Sequence, residues 1–106
     1  MPVAAHSLIC YHYIVMIHIS QILWSIDSIL HISTHGVTPE EVEEAVYDGN
    51  PLILRGRENR YVVLSRSGSG RYLTIVVAFK VKGRVSVITA RDMDKKERNF
   101  YKRRGK

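Results

Sequence analysis

The connections between the apolar segments of the second half of the chain constrain its fold most strongly. Runs rich in Val, Ile and Tyr, which are typical of β-strands, occupy residues 52–54, 60–66, 71–80 and 84–90. The segments between them are three to five residues long and each contains Gly: residues 55–59, 67–70 and 81–83. A parallel crossover needs roughly a dozen residues or more. The sequence therefore predicts an antiparallel meander of three to four strands.

The first half of the chain has helical spacing instead. Apolar residues recur three and four positions apart at Ile19, Ile22, Leu23, Ile26, Ile29 and Leu30. This spacing predicts an amphipathic helix that begins near Ile19 or after a short extended piece at residues 23–24. Gly36 is its C-cap candidate, because glycine readily adopts the left-handed conformation that ends a helix.

Two further helices are marked by capping sequences. Thr38 precedes a proline and has a glutamate three residues later, which predicts a helix over residues 39–47 with Val42, Ala45 and Val46 inward. Asp94 and Glu97 have the same spacing and predict a final helix over residues 95–103. The expected fold class is α+β: two N-terminal helices, the meander and a C-terminal helix, with helices covering one face of the sheet.

Residues 1–15 are expected to be an N-terminal extension, and residues 16–106 a single domain. The extension is either a small extra strand or the product of a misassigned translation start, with Met16 as the alternative initiator. The apolar run at residues 8–19 lacks the preceding basic residues of a secretory signal and is interrupted by histidines, unlike a membrane span. We therefore predict a cytoplasmic protein without a membrane partner.

The basic residues are confined to one half of the sequence. All 16 Lys and Arg residues lie within residues 51–106 against four acidic residues, a charge of +12, whereas residues 34–50 carry five acids and no base. Such a concentration favours a polyanion such as nucleic acid as partner, and an acidic protein would use the same surface.

Arg91, Glu97 and Tyr101 are candidates for chemistry on a phosphodiester. Arg91 ends a strand run beside the last helix, where Glu97 and Tyr101 are four residues apart on one face. A guanidinium stabilises phosphorane charge, while the other two groups are able to move protons to and from the ribose oxygens. The alternatives are that Arg91 pairs with Glu97 or Asp94, and that Tyr101 belongs to the core.

A metal site has weak support in the sequence. His31 and His35 have a spacing that suits a metal ligand pair, but no third ligand is placed nearby. The alternative is that both histidines pack near the end of their helix. Cys10 is the single cysteine, which excludes an intramolecular disulfide and a multi-cysteine zinc site. We therefore predict no cofactor and no metal.

Several short motifs resemble the BrnT-type toxins, which belong to the RelE-like ribonuclease toxins of toxin–antitoxin pairs. The resemblance covers about residues 17–106. Its motifs are Leu23-Trp24, His31-Ile32, His35-Gly36-Val37, the acidic segment 38–44, Arg60-Tyr61, Ile88-Thr89-Ala90-Arg91, and Glu97 followed by Tyr101. The chain departs from the family pattern at three positions, where Ser25, Ser28 and Thr34 stand in place of aspartate, asparagine and a basic residue.

The resemblance implies a metal-independent endoribonuclease that cleaves mRNA and is neutralised by a cognate antitoxin protein. It also implies that operator DNA is bound only through the toxin–antitoxin complex. By position it assigns catalysis to Arg60, Arg91, Glu97 and Tyr101, with His35 a weaker candidate. Charge alone adds the RNA-backbone contacts Lys80, Lys82 and Arg84. The alternatives are a non-catalytic RNA-binding module and a basic protein-interaction domain.

Overall fold

A computed structural model describes residues 14–104 as a mixed α+β fold. Two short strands, β1 (Ile14–Val15) and β2 (Gln21–Leu23), precede helices α1 (Ile26–Ser33) and α2 (Pro39–Glu43). Helix α2 continues as a π-helical turn, Glu44–Asp48. The remaining elements are β3 (Leu52–Arg55), β4 (Arg60–Arg66), β5 (Tyr72–Phe79), β6 (Arg84–Asp92) and α3 (Lys95–Arg103). None of the helices in the described part of the chain is long and apolar enough to cross a membrane.

All six strands form one sheet in the order β1-β3-β4-β5-β6-β2. Strands β3 to β6 pair antiparallel in sequence order, which confirms the predicted meander. Strand β2 adds to the far edge, parallel to β6, and β1 adds to the other edge against β3. The predicted N-terminal extension falls mainly on residues 1–13, which lie outside the described residues.

Of the two predicted starts of the first helix, the one near Ile19 was wrong, and the one after a short extended piece agrees with the structure. Residues 21–23 are strand β2, and α1 begins only after the N-cap Ser25. Ile22 is the buried residue of the three, and pairing with β6 makes the segment a strand. The helix buries Ile32, while Ile26 and Leu30 remain 76% and 59% exposed. Gly36 follows α1 with the predicted left-handed backbone, at φ +71°.

The two capping predictions are confirmed. The side chain of Thr38 accepts a hydrogen bond from the backbone of Glu41, whose carboxylate accepts one in return from Thr38 N–H. Asp94 and Glu97 form the same reciprocal box at the start of α3. Local sequence therefore fixes where α2 and α3 begin.

The prediction that helices cover one face of the sheet was wrong, because they lie on both. Helices α1 and α2 bury one cluster against residues such as Val63, Ile75 and Val87. Helix α3 buries a second cluster on the opposite face, against Leu54 and Leu64. We name these two sides of the sheet the α1–α2 face and the α3 face. Strand β4 is consequently buried at five successive positions, as expected for a strand packed on both sides.

Arg71 ties the α1–α2 layer to the sheet. Its guanidinium donates to the carbonyl of Gly36 at 2.7 Å and to the carboxylates of Glu41 and Asp92 at 3.1 and 2.6 Å. These hydrogen bonds hold the pKa of Asp92 below its ordinary value and raise that of Arg71. One side chain thus joins the α1–α2 connection, α2 and β6.

We expect Gly49→Ala to destabilise the fold by about 2 kcal/mol, the scale of overpacking in a core. A Cβ at Gly49 would lie 2.6 Å from two backbone carbonyl oxygens and 2.5 Å from Ser65 Oγ. The matched control is Gly68→Ala, whose Cβ meets the flexible carboxylate of Glu44 at 3.1 Å. Urea unfolding measures both variants, and equal losses would contradict the steric explanation.

Candidate functional site

The last helix is fixed to the sheet through a buried carboxylate. Glu97 is 1% exposed. Its Oε1 accepts hydrogen bonds from Thr74 Oγ1 and from the backbone N–H of Asp94, both at 2.9 Å. Arg91 adds two parallel bonds of 2.9 Å, from Nη1 to Oε1 and from Nη2 to Oε2. Between them, the two carboxylate oxygens of Glu97 therefore accept hydrogen bonds from β5, from β6 and from the N-cap of α3.

Arg91 keeps part of its guanidinium available. Its side chain is 29% exposed, and its third hydrogen bond goes to the carbonyl of Asp92. Among residues 14–104, the Nε–H and one Nη2 hydrogen have no protein partner. The hydrogen bonds with Glu97 raise the pKa of Arg91, so the group stays cationic. This arrangement presents a fixed positive charge with free donors, which suits an anionic oxygen.

Tyr101 is part of the core of the α3 face. Its side chain is fully buried, and its hydroxyl donates to the backbone carbonyl of Asn50 at 2.9 Å. Its ring packs edge-on against that of Tyr72, with the centroids 6.1 Å apart. Burial raises the pKa of the phenol. The structure thus gives Tyr101 a contact between α3 and the turn before β3.

Four basic residues lie on the α3 face: Arg91 beside the start of α3, and Arg60, Lys80 and Arg84 toward the other end of the strands. Paired residues of neighbouring strands share a face and alternate residues of one strand do too. Arg60 pairs with Ala78, which pairs with Ser86. On β5, Val76 and Thr74 come two and four residues before Ala78, and they pair with Thr89 and Arg91 of β6, across a register shift between Val76 and Val77. We define the basic face as Arg60, Lys80, Arg84 and Arg91.

The sheet surface between these side chains is incompletely covered. Val76, Ala78 and Ser86 are half-buried, whereas Arg60, Lys80 and Arg84 are exposed. The rows of Arg60 and Arg91 are separated by four residues of β5, about 13 Å along the strand. The structure therefore brings Arg60 onto the same face as Arg91, but at the opposite end of the strand. Lys82 lies in the adjoining turn, with a left-handed backbone at φ +56°.

His35 lies apart from this face. Its backbone carbonyl accepts a bond from Arg71 on the α1–α2 face, and its exposed ring packs edge-on against that of His31, with centroids 5.5 Å apart. His31 reaches the edge of the basic face, where its Nε2 lies 3.1 Å from Thr89 Oγ1. Within residues 14–104, no group of three or more His, Cys, Asp or Glu side chains is arranged to hold a metal ion.

Sequence reasoning missed Thr74, Thr89 and the role of Arg71. The sequence does contain a signal for Thr89. It is two residues from Arg91, and alternate residues of a strand lie on the same face of the sheet. A threonine inside an otherwise apolar strand, as at Thr74, also indicates a buried polar partner. The partner itself comes from a helix 23 residues away in sequence, and no local pattern encodes that contact.

We expect Glu97→Gln to lower the free energy of unfolding by roughly 3 kcal/mol, because it leaves Arg91 without its counter-charge and places an N–H donor against another donor. Glu40→Gln, at an exposed position of α2, is the matched control and should change stability by less than about 0.5 kcal/mol. Both are measured by urea unfolding. A Glu97→Gln protein as stable as the control would show that this network does not hold α3.

Comparison with known proteins supplies the family. No curated protein and no solved structure gives a significant match to the chain. The sequence model for "Ribonuclease toxin, BrnT, of type II toxin-antitoxin system" matches residues 27–97, which is more than half of the chain. The matched region runs from α1 to Glu97 and includes all four residues of the basic face. The chain therefore belongs to the BrnT family of ribonuclease toxins of type II toxin–antitoxin systems.

Proposed function

We propose that the protein is a metal-independent endoribonuclease that cleaves mRNA on the basic face and is neutralised by a cognate antitoxin. The observation that carries the proposal is the environment of Arg91. Its guanidinium donates two parallel hydrogen bonds to Glu97 and still has free N–H donors on a partly exposed surface. Family membership supports RNA as the substrate and an antitoxin protein as the partner.

Arg91 stabilises the charge that develops on the phosphorane. It has no proton to give at neutral pH, so its role is electrostatic. Because Glu97 and the strand already fix its position, little reorganisation is needed when the phosphate arrives. In this proposal Glu97 is a positioning residue for Arg91, and Tyr101 is a positioning residue that holds α3 against the turn at Asn50.

The other basic residues bind the RNA backbone. Arg60 lies about 13 Å from Arg91 along the strand direction. It therefore contacts a neighbouring part of the RNA rather than the scissile phosphate that Arg91 binds. Lys80, Lys82 and Arg84 surround the adjoining hairpin turn and are exposed. None of these four residues forms an ion pair within residues 14–104. Their charges are therefore available to phosphates.

The proposal extends to the biological setting. A cytoplasmic toxin that acts on mRNA needs a partner to silence it, and operator DNA is bound only through the complex with that antitoxin. We also propose a fold kinship with the RelE-like toxins. It is supported by the order of α1, α2, the antiparallel meander of β3 to β6 and α3, which two short strands precede.

The departures from the family pattern are compatible with an intact α1. Ser25 and Ser28 form a reciprocal capping box of their own at its start. Thr34 donates its hydroxyl to the carbonyl of His31 at the end of the helix. Serine is among the favoured N-cap residues, so the replacement retains the local function of the aspartate.

We expect the protein to cleave single-stranded RNA in EDTA, and Arg91→Lys to lower the rate about a hundredfold. Lysine keeps the positive charge near Glu97 but loses the planar fork that serves the phosphate and the carboxylate together. Arg103→Lys, at an exposed position of α3, is the matched control. Cleavage per folded molecule is measured alongside thermal melting. A normal rate for folded Arg91→Lys would assign Arg91 a purely structural role.

We also expect the triple variant Lys80→Ala, Lys82→Ala and Arg84→Ala to flatten the salt dependence of RNA binding. Each phosphate neutralised on a single strand contributes about −0.7 to the slope of log affinity against log salt. The change should thus approach about two slope units if all three contact phosphates, with no change in sequence preference. The charge-matched control replaces Lys95, Lys96 and Arg103 by alanine. Equal slopes for the two triple variants would contradict a special role for the hairpin.

A further inference from the structure

The residues that sequence assigned to proton transfer are engaged in other bonds. Both oxygens of Glu97 accept hydrogen bonds from protein donors, and the hydroxyl of Tyr101 is buried and donates to Asn50. Arg91 retains its protons. Cleavage of RNA by its own 2′-hydroxyl still requires a proton for the departing 5′-oxygen, because an unprotonated alkoxide is a poor leaving group. The basic face therefore needs another donor.

His31 lies at the edge of the basic face, on the side of Arg91. Its Nε2 is within hydrogen-bonding distance of Thr89 Oγ1, at 3.1 Å. Thr89 and Arg91 are alternate residues of β6 and lie on the same face. The two Cα positions are consequently about 6.6 Å apart along the strand. Strand β2 pairs with β6 only at residues 84–86, so it stops before Thr89 and does not separate His31 from Arg91.

The surroundings of His31 leave its ring accessible. The residue is exposed, and its ring is held between two contacts, the hydroxyl of Thr89 and the edge of His35. Asp27 lies one turn earlier on α1, and Arg91 is the charged residue nearest to Thr89 along this face of β6. Imidazole is the side chain that gains and loses a proton between about pH 5 and pH 8.

We propose that His31 is the general acid of RNA cleavage. This inference rests on the proposed ribonuclease function. The 2′-oxygen forms a bond to phosphorus as its proton passes to solvent. The bond from phosphorus to the 5′-oxygen breaks as His31 delivers a proton to that oxygen from Nδ1, the ring nitrogen that is not engaged with Thr89. The products are a 2′,3′-cyclic phosphate and a 5′-hydroxyl, and solvent returns the proton to the imidazole. Arg91 stabilises the phosphorane between these two events.

The test uses two RNA substrates that differ in one atom. The first has an ordinary phosphodiester, and the second has sulfur in place of the bridging 5′-oxygen at the cleaved linkage. A thiolate leaves without protonation, so the second substrate does not need a general acid. The variant is His31→Gln, which keeps a polar group within reach of Thr89. The control is His18→Gln, which replaces another exposed histidine outside the basic face.

We expect His31→Gln to cleave the ordinary RNA at least a hundredfold more slowly than the unchanged protein, the scale of losing a general acid. On the sulfur substrate it should remain within about threefold, and His18→Gln should remain within threefold on both. Equal losses on both substrates, no loss on either, or a selective loss in His35→Gln instead would each overturn the assignment. If the unchanged protein cleaves neither substrate in EDTA, the proposed ribonuclease function fails, and this inference fails with it.

Discussion

The bonds around Glu97 hold together the half of the molecule that carries the basic face. A buried carboxylate is costly unless its oxygens are satisfied, and here Thr74, Arg91 and the backbone of Asp94 satisfy them. The three donors belong to β5, β6 and the start of α3, so the position of the helix and that of Arg91 depend on one another. A structural requirement of the fold thereby fixes a cation at the surface.

Local chemistry accounts for the parts of the fold that sequence could predict. The capping boxes at Thr38 and Asp94, the left-handed Gly36 and the short connections of the meander depend on residues within a few positions of one another. Each of these features was predicted, and each is found in the structure. The energies of these features depend on residues that are close in sequence rather than on contacts with distant segments.

Long-range pairing accounts for the parts that sequence could not predict. Ile22 and Leu23 are compatible with a helix or a strand, and pairing with β6, about 60 positions away in the chain, makes residues 21–23 a strand. The covering of both faces of the sheet also depends on long-range contacts. The strands have apolar residues on both faces, and these residues do not indicate which helix packs on which face. At the site, sequence indicated Arg91, Glu97 and Tyr101 as neighbours, whereas the structure shows which hydrogen bonds each already makes.

The distribution of charge along the chain explains why bases rather than acids line the exposed α3 face. Glu41 comes from the acidic helix and Asp92 from the end of β6, and both are bound by Arg71 on the α1–α2 face. Glu97 is bound by Arg91 inside the junction with α3. These acids neutralise cations within the fold, while Arg60, Lys80 and Arg84 have no ion-pair partner among residues 14–104. Folding thus pairs Glu41, Asp92 and Glu97 with Arg71 and Arg91, and the exposed surface of β4 to β6 keeps its positive potential for an anionic ligand.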